Sequence, residues 1–75
     1  LYVQTGAFAE SANARRQVER LRSAGIEGVF LLPAIGGDRT LHRVRIGPLG
    51  SVAEFDALSA RLARLGITDA RLASD

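Results

Sequence analysis

The chain repeats itself at one fixed spacing. Gly6 and Gly47, Phe8 and Leu49, Ala12 and Ala53, Arg20 and Arg61, Leu21 and Leu62, Gly25 and Gly66, and Ile26 and Ile67 all stand 41 positions apart. A repeat of this length is one supersecondary unit used twice. Two copies fill most of the 75 residues, so one small domain spanning residues 1–75 is expected, cut from a longer protein. A domain of this size buries only about 60% of the surface its unfolded chain exposes, which leaves a thin core and no room for an internal cavity.

Each copy reads as strand, helix, strand. Residues 2–8 carry the β-favouring Tyr2 and Val3, and a first strand is expected roughly to Gly6, with Ala7 and Phe8 leaving it. Ser11 offers an N-cap, and Ala14, Val18 and Leu21 recur on one helical face opposite Arg15, Arg16, Glu19, Arg20 and Arg22. Gly25 should stop that helix. An apolar run from Ile26 to Ile35 makes a second strand, closed by a hairpin loop at Gly36-Gly37-Asp38, and Pro33 puts it at a sheet edge. Leu41 to Gly47 alternates as a third strand that Pro48 ends. Ser51 can cap a second helix with Phe55, Leu58, Leu62 and Leu65 on its apolar side, stopped by Gly66, and Ile67 to Ala73 supplies a last strand.

The order βαββαβ is the ferredoxin-like, RNP-like α+β pattern: a four-stranded antiparallel sheet with two helices on one face. Right-handed crossovers set the first and third strands side by side at its centre. Side chains pointing away from Val3, Thr5, Val44 and Ile46 then stand on an uncovered platform. These are Tyr2, Gln4 and Gly6 from one strand and Leu41, Arg43 and Arg45 from the other.

Little in the chain supports catalysis. There is one histidine and no cysteine, and His42 alternates with Val44 and Ile46, which points to a histidine partly buried against the helices. The acids read as cap, helix-face or loop charges, and Gly36-Gly37 lacks the lysine and following helix of a phosphate loop. No apolar run is long enough to span a membrane. Neither a cofactor nor a metal is expected. A net charge of +2, from ten arginines against eight acids, is weak support for a polyanionic partner.

The open platform suits a polar, extended ligand. Gln4 brings a donor and an acceptor that match hydroxyls or N-acetyl groups, and Arg43 brings a fork for a carboxylate. Gly6 and Gly47 also lie where a strand must turn into a helix, which accounts for them without a ligand.

Tyr2-Val3-Gln4-Thr5-Gly6-Ala7-Phe8, Asn13-Ala14, Leu21 with Gly25, and Arg43-Val44-Arg45-Ile46-Gly47-Pro48-Leu49 together resemble the SPOR (sporulation-related repeat) family over almost the whole chain. The resemblance extends to the C-terminal module of a septal lytic transglycosylase, a lipoprotein, and so implies a non-catalytic domain in an enzymatic parent. It further implies binding to peptidoglycan glycan strands of N-acetylglucosamine and N-acetylmuramic acid, stripped of stem peptides, at the bacterial division septum. The location implied is the periplasm, with a tether to the outer membrane through the parent. Carried onto this sequence, the glycan-binding residues are Gln4, Gly6, Ala7, Asn13, Leu41, Arg43 and Ala70, and Arg45 joins them from its place beside Arg43. Leu41 stands where many members have tryptophan, and Thr5 where an apolar residue is commoner. The domain is expected to act as a monomer, with no nucleic-acid partner and no membrane insertion of its own.

Two other readings stay open at this level. RNA recognition motifs share the βαββαβ order and bind on the same face through stacked aromatics, whereas here Tyr2 is the one aromatic residue expected there and the third strand lacks their motif. A dimerisation or other protein-binding domain would meet its partner along the sheet edge or face.

Overall fold

Leucine, valine and alanine at helical spacing decide which sides of the two helices turn inward. The computed structural model describes residues 1–73; residues 74 and 75 of the expected domain lie outside the described residues. Among those described, the order is β1 (Tyr2–Phe8), α1 (Ser11–Ser23), β2 (Val29–Gly36), β3 (Arg39–Ile46), α2 (Val52–Arg64) and β4 (Arg71–Ala73). All neighbours pair antiparallel in one sheet of order β2-β3-β1-β4, so β1 and β3 are central, as expected, and β2 with its Pro33 is an edge. Ala14, Val18 and Leu21 of α1 and Leu58 and Leu62 of α2 pack on Val3, Val29, Val44 and Ile46, with Ile26 and Ile67 closing the cluster. The helices therefore share one face of the sheet.

The repeat is carried into the geometry. Gly25 and Gly66 both adopt φ +83°, a left-handed conformation that side chains with a Cβ resist. Behind each glycine the chain closes the same helix end. Ile26 N–H donates to Leu21 O at 3.1 Å and Gly25 N–H to Arg22 O at 2.9 Å; Ile67 N–H donates to Leu62 O at 2.9 Å and Gly66 N–H to Ala63 O at 3.0 Å. The repeated arginines cross between the copies. Arg20 Nη2 donates to the carbonyl of Leu65 at the end of α2, and Arg61 Nη2 donates to Ala24 O at the end of α1 at 3.2 Å. Gln4 and Arg45, 41 positions apart, face each other across β1 and β3, so the pseudo-twofold relation between the copies passes through the middle of the sheet.

Several boundaries differ from the sequence expectation. Strand β1 runs on through Ala7 to Phe8, still paired with β3 beyond an irregularity between Gln4 and Gly6. Ser11 is the first helical residue, and Glu10 holds the N-cap position with no side-chain cap bond. Ser51 does cap α2, accepting from Glu54 N–H at 3.2 Å. Strand β2 starts at Val29, after Gly28 at φ +78°. Strand β3 begins at Arg39, since the hairpin turn takes only two residues, Gly37 and Asp38. Ile67 is buried ahead of the last strand, and β4 is just Arg71–Ala73. The Gly47–Pro48 peptide is cis.

Candidate functional site

The sheet face turned away from the helices is assembled from alternate residues of all four strands, because successive strand side chains point to opposite sides. Phe30, Arg45, Gln4 and Arg71 stand opposite one another in a row across β2, β3, β1 and β4. The next row is Leu32, Arg43 and Ala7. Towards the hairpin follow Ala34 and Leu41, and at the other end Tyr2 stands opposite Ala73.

Gln4 and Arg45 form a fixed pair at the centre of this face. Arg45 Nε donates to Gln4 Oε1 at 3.2 Å, which sets the carboxamide's orientation. Although it is on the uncovered side of the sheet, Arg45 is only 2% exposed. This corrects the expectation of an open arginine: its long stem lies in a depression that it lines with Tyr2, Phe30 and Leu32. Phe30 was missed altogether as a residue of this face. Its ring packs edge-on against Tyr2, centroids 5.7 Å apart at 81°, so the face carries two aromatics where one was expected. Neighbouring Arg43 is half-buried, with Nε donating to Leu32 O at 3.4 Å.

Beside the first of the central strands the face opens into a groove of about 680 Å³. Gln4, Thr5, Gly6, Ala7 and Phe8 line one side and Asp69 and Arg71 the other. The groove exists because β4 is short: it pairs with Tyr2, Val3 and Gln4, and among the described residues no strand continues along the remainder of β1. Backbone donors and acceptors of Thr5 to Phe8 on that side are thus available to a ligand.

The other expected site residues separate into two groups. Ala7 is exposed on the open face opposite Arg43, and Leu41 is 42% exposed nearer the hairpin. Gly6 does not stand on the platform. It pairs with the buried Val44, and a Cβ there would meet the Phe8 ring at 2.9 Å and Gln17 Oε1 at 3.1 Å, on the helix side. Asn13 is exposed in the first turn of α1, its Oδ1 accepting from Arg16 Nη1 at 3.2 Å. Ala70 is half-buried against the core between the groove residues Asp69 and Arg71. Those two and Leu32 escaped the sequence reading, yet the alternation of Phe30 and Leu32 against the buried Val29 was a signal for β2. Among the described residues no group of histidine and carboxylate side chains could hold a metal, and no helix is long and apolar enough to cross a membrane.

A four-stranded sheet with helices on one side leaves its other face, of mixed polar and apolar side chains, open to a ligand. A family model described as the SPOR domain matches residues 1–72. The chain belongs to the SPOR domain family, a peptidoglycan-binding family whose domain is a binding module rather than a catalytic one. Among its relatives are the proteins named endolytic peptidoglycan transglycosylase RlpA of two Pseudomonas aeruginosa strains. Each is 38% identical over 68 residues, which cover 88% of this chain and 20% of the relative. The chain therefore spans about a fifth of the length of these curated relatives. The crystal structure of the RlpA SPOR domain from P. aeruginosa superposes with a TM-score of 0.92 at 29% identity, covering 100% of this chain and 99% of that one. This kinship implies a cell-envelope location associated with peptidoglycan.

Proposed function

We propose that this chain holds peptidoglycan glycan strands from which the stem peptides have been removed, on the open sheet face and in the groove beside β1. The observation that carries the reading is the row of polar groups at the middle of that face, in which Arg45 orients Gln4 at 3.2 Å and Arg43 lies one row away. A sugar strand offers hydroxyls and N-acetyl groups at regular intervals, and an oriented carboxamide matches both kinds. When an amidase releases the stem peptide, the lactyl group of N-acetylmuramic acid ends in a free carboxylate. Arg43 supplies a cation for it, Ala7 opposite Arg43 keeps the neighbouring surface low, and the backbone edge of Thr5 to Phe8 serves the sugars. Asn13, Leu41 and Ala70 belong to the rim, and Gly6 contributes main chain rather than surface.

In this reading the domain is one module of a longer periplasmic protein that it carries to the division septum, tethered to the outer membrane through a parent lipoprotein whose catalytic part is a transglycosylase. It acts as a monomer. The test is retention on intact sacculi before and after amidase digestion. Retention that appears only after digestion is expected, whereas equal retention on both would remove the preference for stripped strands. A salt series with single-stranded RNA separates the nucleic-acid reading that Phe30 beside Tyr2 invites, since binding of that kind weakens steeply with salt.

A further inference from the structure

Strand β1 carries one residue more than β3 along their shared length. Gln4 stands opposite Arg45, but Gly6 stands opposite Val44, so Thr5 is an extra residue and the pair forms a β-bulge. Had the Gln4–Arg45 register continued, Gly6 would stand opposite Arg43 and Phe8 opposite Leu41 on the open face, with Ala7 under the helices. The bulge reverses this. Ala7 comes to stand opposite Arg43, Phe8 turns to pack on the core, and a different set of backbone groups faces the groove.

Something must hold the extra residue in place. Thr5 is 6% exposed, its hydroxyl donates to Gln17 Oε1 of α1 at 2.7 Å, and the same oxygen lies 3.4 Å from Val44 O. Gly6 makes the closeness possible, since its missing Cβ would fall against the Phe8 ring and the same Gln17 oxygen. Valine has threonine's shape and no hydroxyl to donate.

We propose that Thr5 and Gln17 are positioning residues for the ligand face: their hydrogen bond holds the bulge that brings Ala7 beside Arg43 and aims the edge of β1 at the groove. The proposal rests on the glycan-binding reading of that face. It is tested by cross-strand nuclear Overhauser contacts in the free domain together with affinity for amidase-treated sacculi, in the wild type, Thr5→Val, Thr5→Ser and Gln17→Ala. In Thr5→Val and Gln17→Ala we expect Ala7 to show contacts to His42 in place of Arg43. Affinity should fall about tenfold, the scale of one lost hydrogen bond with a charged group. Thr5→Ser should restore both readouts. Gln17→Ala removes the acceptor without altering the sheet sequence, and so decides the matter if Thr5→Val does not fold. Ala7–Arg43 pairing that persists without the hydrogen bond overturns the proposal, as does a slipped register with undiminished affinity. Should the wild type itself fail to bind the sacculi, the glycan reading falls, while the pairing in the free domain still decides whether Thr5 holds the bulge.

Discussion

Arg43 and Ser59 show how single side chains divide between binding and stability. The Arg43 guanidinium is placed by the Leu32 carbonyl on the open face, and a charge-assisted bond from it to a lactyl carboxylate is worth about 1.5–3 kcal/mol. Arg43→Ala should therefore weaken binding to amidase-treated sacculi by one to two decades, on the order set by about 1.4 kcal/mol per decade, measured at a temperature where the variant is folded. Equal retention of mutant and wild type would exclude Arg43 as the carboxylate partner. Ser59 is the opposite case. Its hydroxyl oxygen on α2 is buried and finds no hydrogen-bond partner among the described residues, and such a group costs about 1–3 kcal/mol in desolvation. Ser59→Ala removes that cost and improves helix propensity, so thermal unfolding should shift upward by several degrees, about 4–8 °C for each kcal/mol in a domain of this size. Binding should be unaffected, because α2 lies on the far side of the sheet.

At the scale of elements, the two helices end alike and begin differently. Ser51 accepts from Glu54 N–H while Glu54 Oε2 accepts from Gly50 N–H at 2.9 Å, so α2 has a side-chain cap from each direction. Helix α1 starts from Glu10, whose extended backbone (φ −106°, ψ 127°) suits a cap but whose side chain makes none. Ser51→Ala should cost about 1 kcal/mol, and Glu10→Asp, which keeps the charge, should gain up to about 1 kcal/mol; urea midpoints measure both. The glycine stops, the apolar stripes and the repeat spacing were legible because each depends on residues near one another in sequence. Ser11 misled because a serine three residues before a helical stripe resembles a cap whether or not the chain turns there. The bulge at Thr5 was illegible for a different reason: one extra residue within a strand leaves local composition unchanged, and only the pairing with β3 reveals it. Gly6 was consequently set on the wrong face and Phe8 outside the strand. Arg45 alternates as an exposed residue should, and its burial depends on Tyr2, Phe30 and Leu32, two of them from an edge strand whose register no local pattern fixes.

For the molecule as a whole, the repeat builds two surfaces with separate tasks. On the helix side, symmetry is used for stability: Arg20 reaches the end of α2 and Arg61 the end of α1, each meeting carbonyls that the helix itself leaves without partners. On the open side the copies diverge, and the same pseudo-twofold position is Gln4 in one and Arg45 in the other. Arg45, which can only donate, fixes the Gln4 oxygen as the acceptor, and that join orients the carboxamide for a ligand. The two surfaces are separated by the layer of Val3, Val44 and Ile46, all nearly inaccessible to solvent. Apart from the Gln17–Thr5 bond that ties α1 to the bulge of β1, changes on one should therefore leave the other's property alone. Arg20→Met and Arg61→Met keep most of the apolar stem and remove the donors. Each cation at a helix C-terminus contributes about 0.3–1 kcal/mol, so each variant should lower the urea midpoint modestly at constant m-value, the sign of lost stability without a changed unfolded state. Below their unfolding transitions both should remain on amidase-treated sacculi as the wild type does. A loss of retention in the folded Arg20 or Arg61 variants would show that the helix side takes part in binding, and that the division of labour between the faces is wrong.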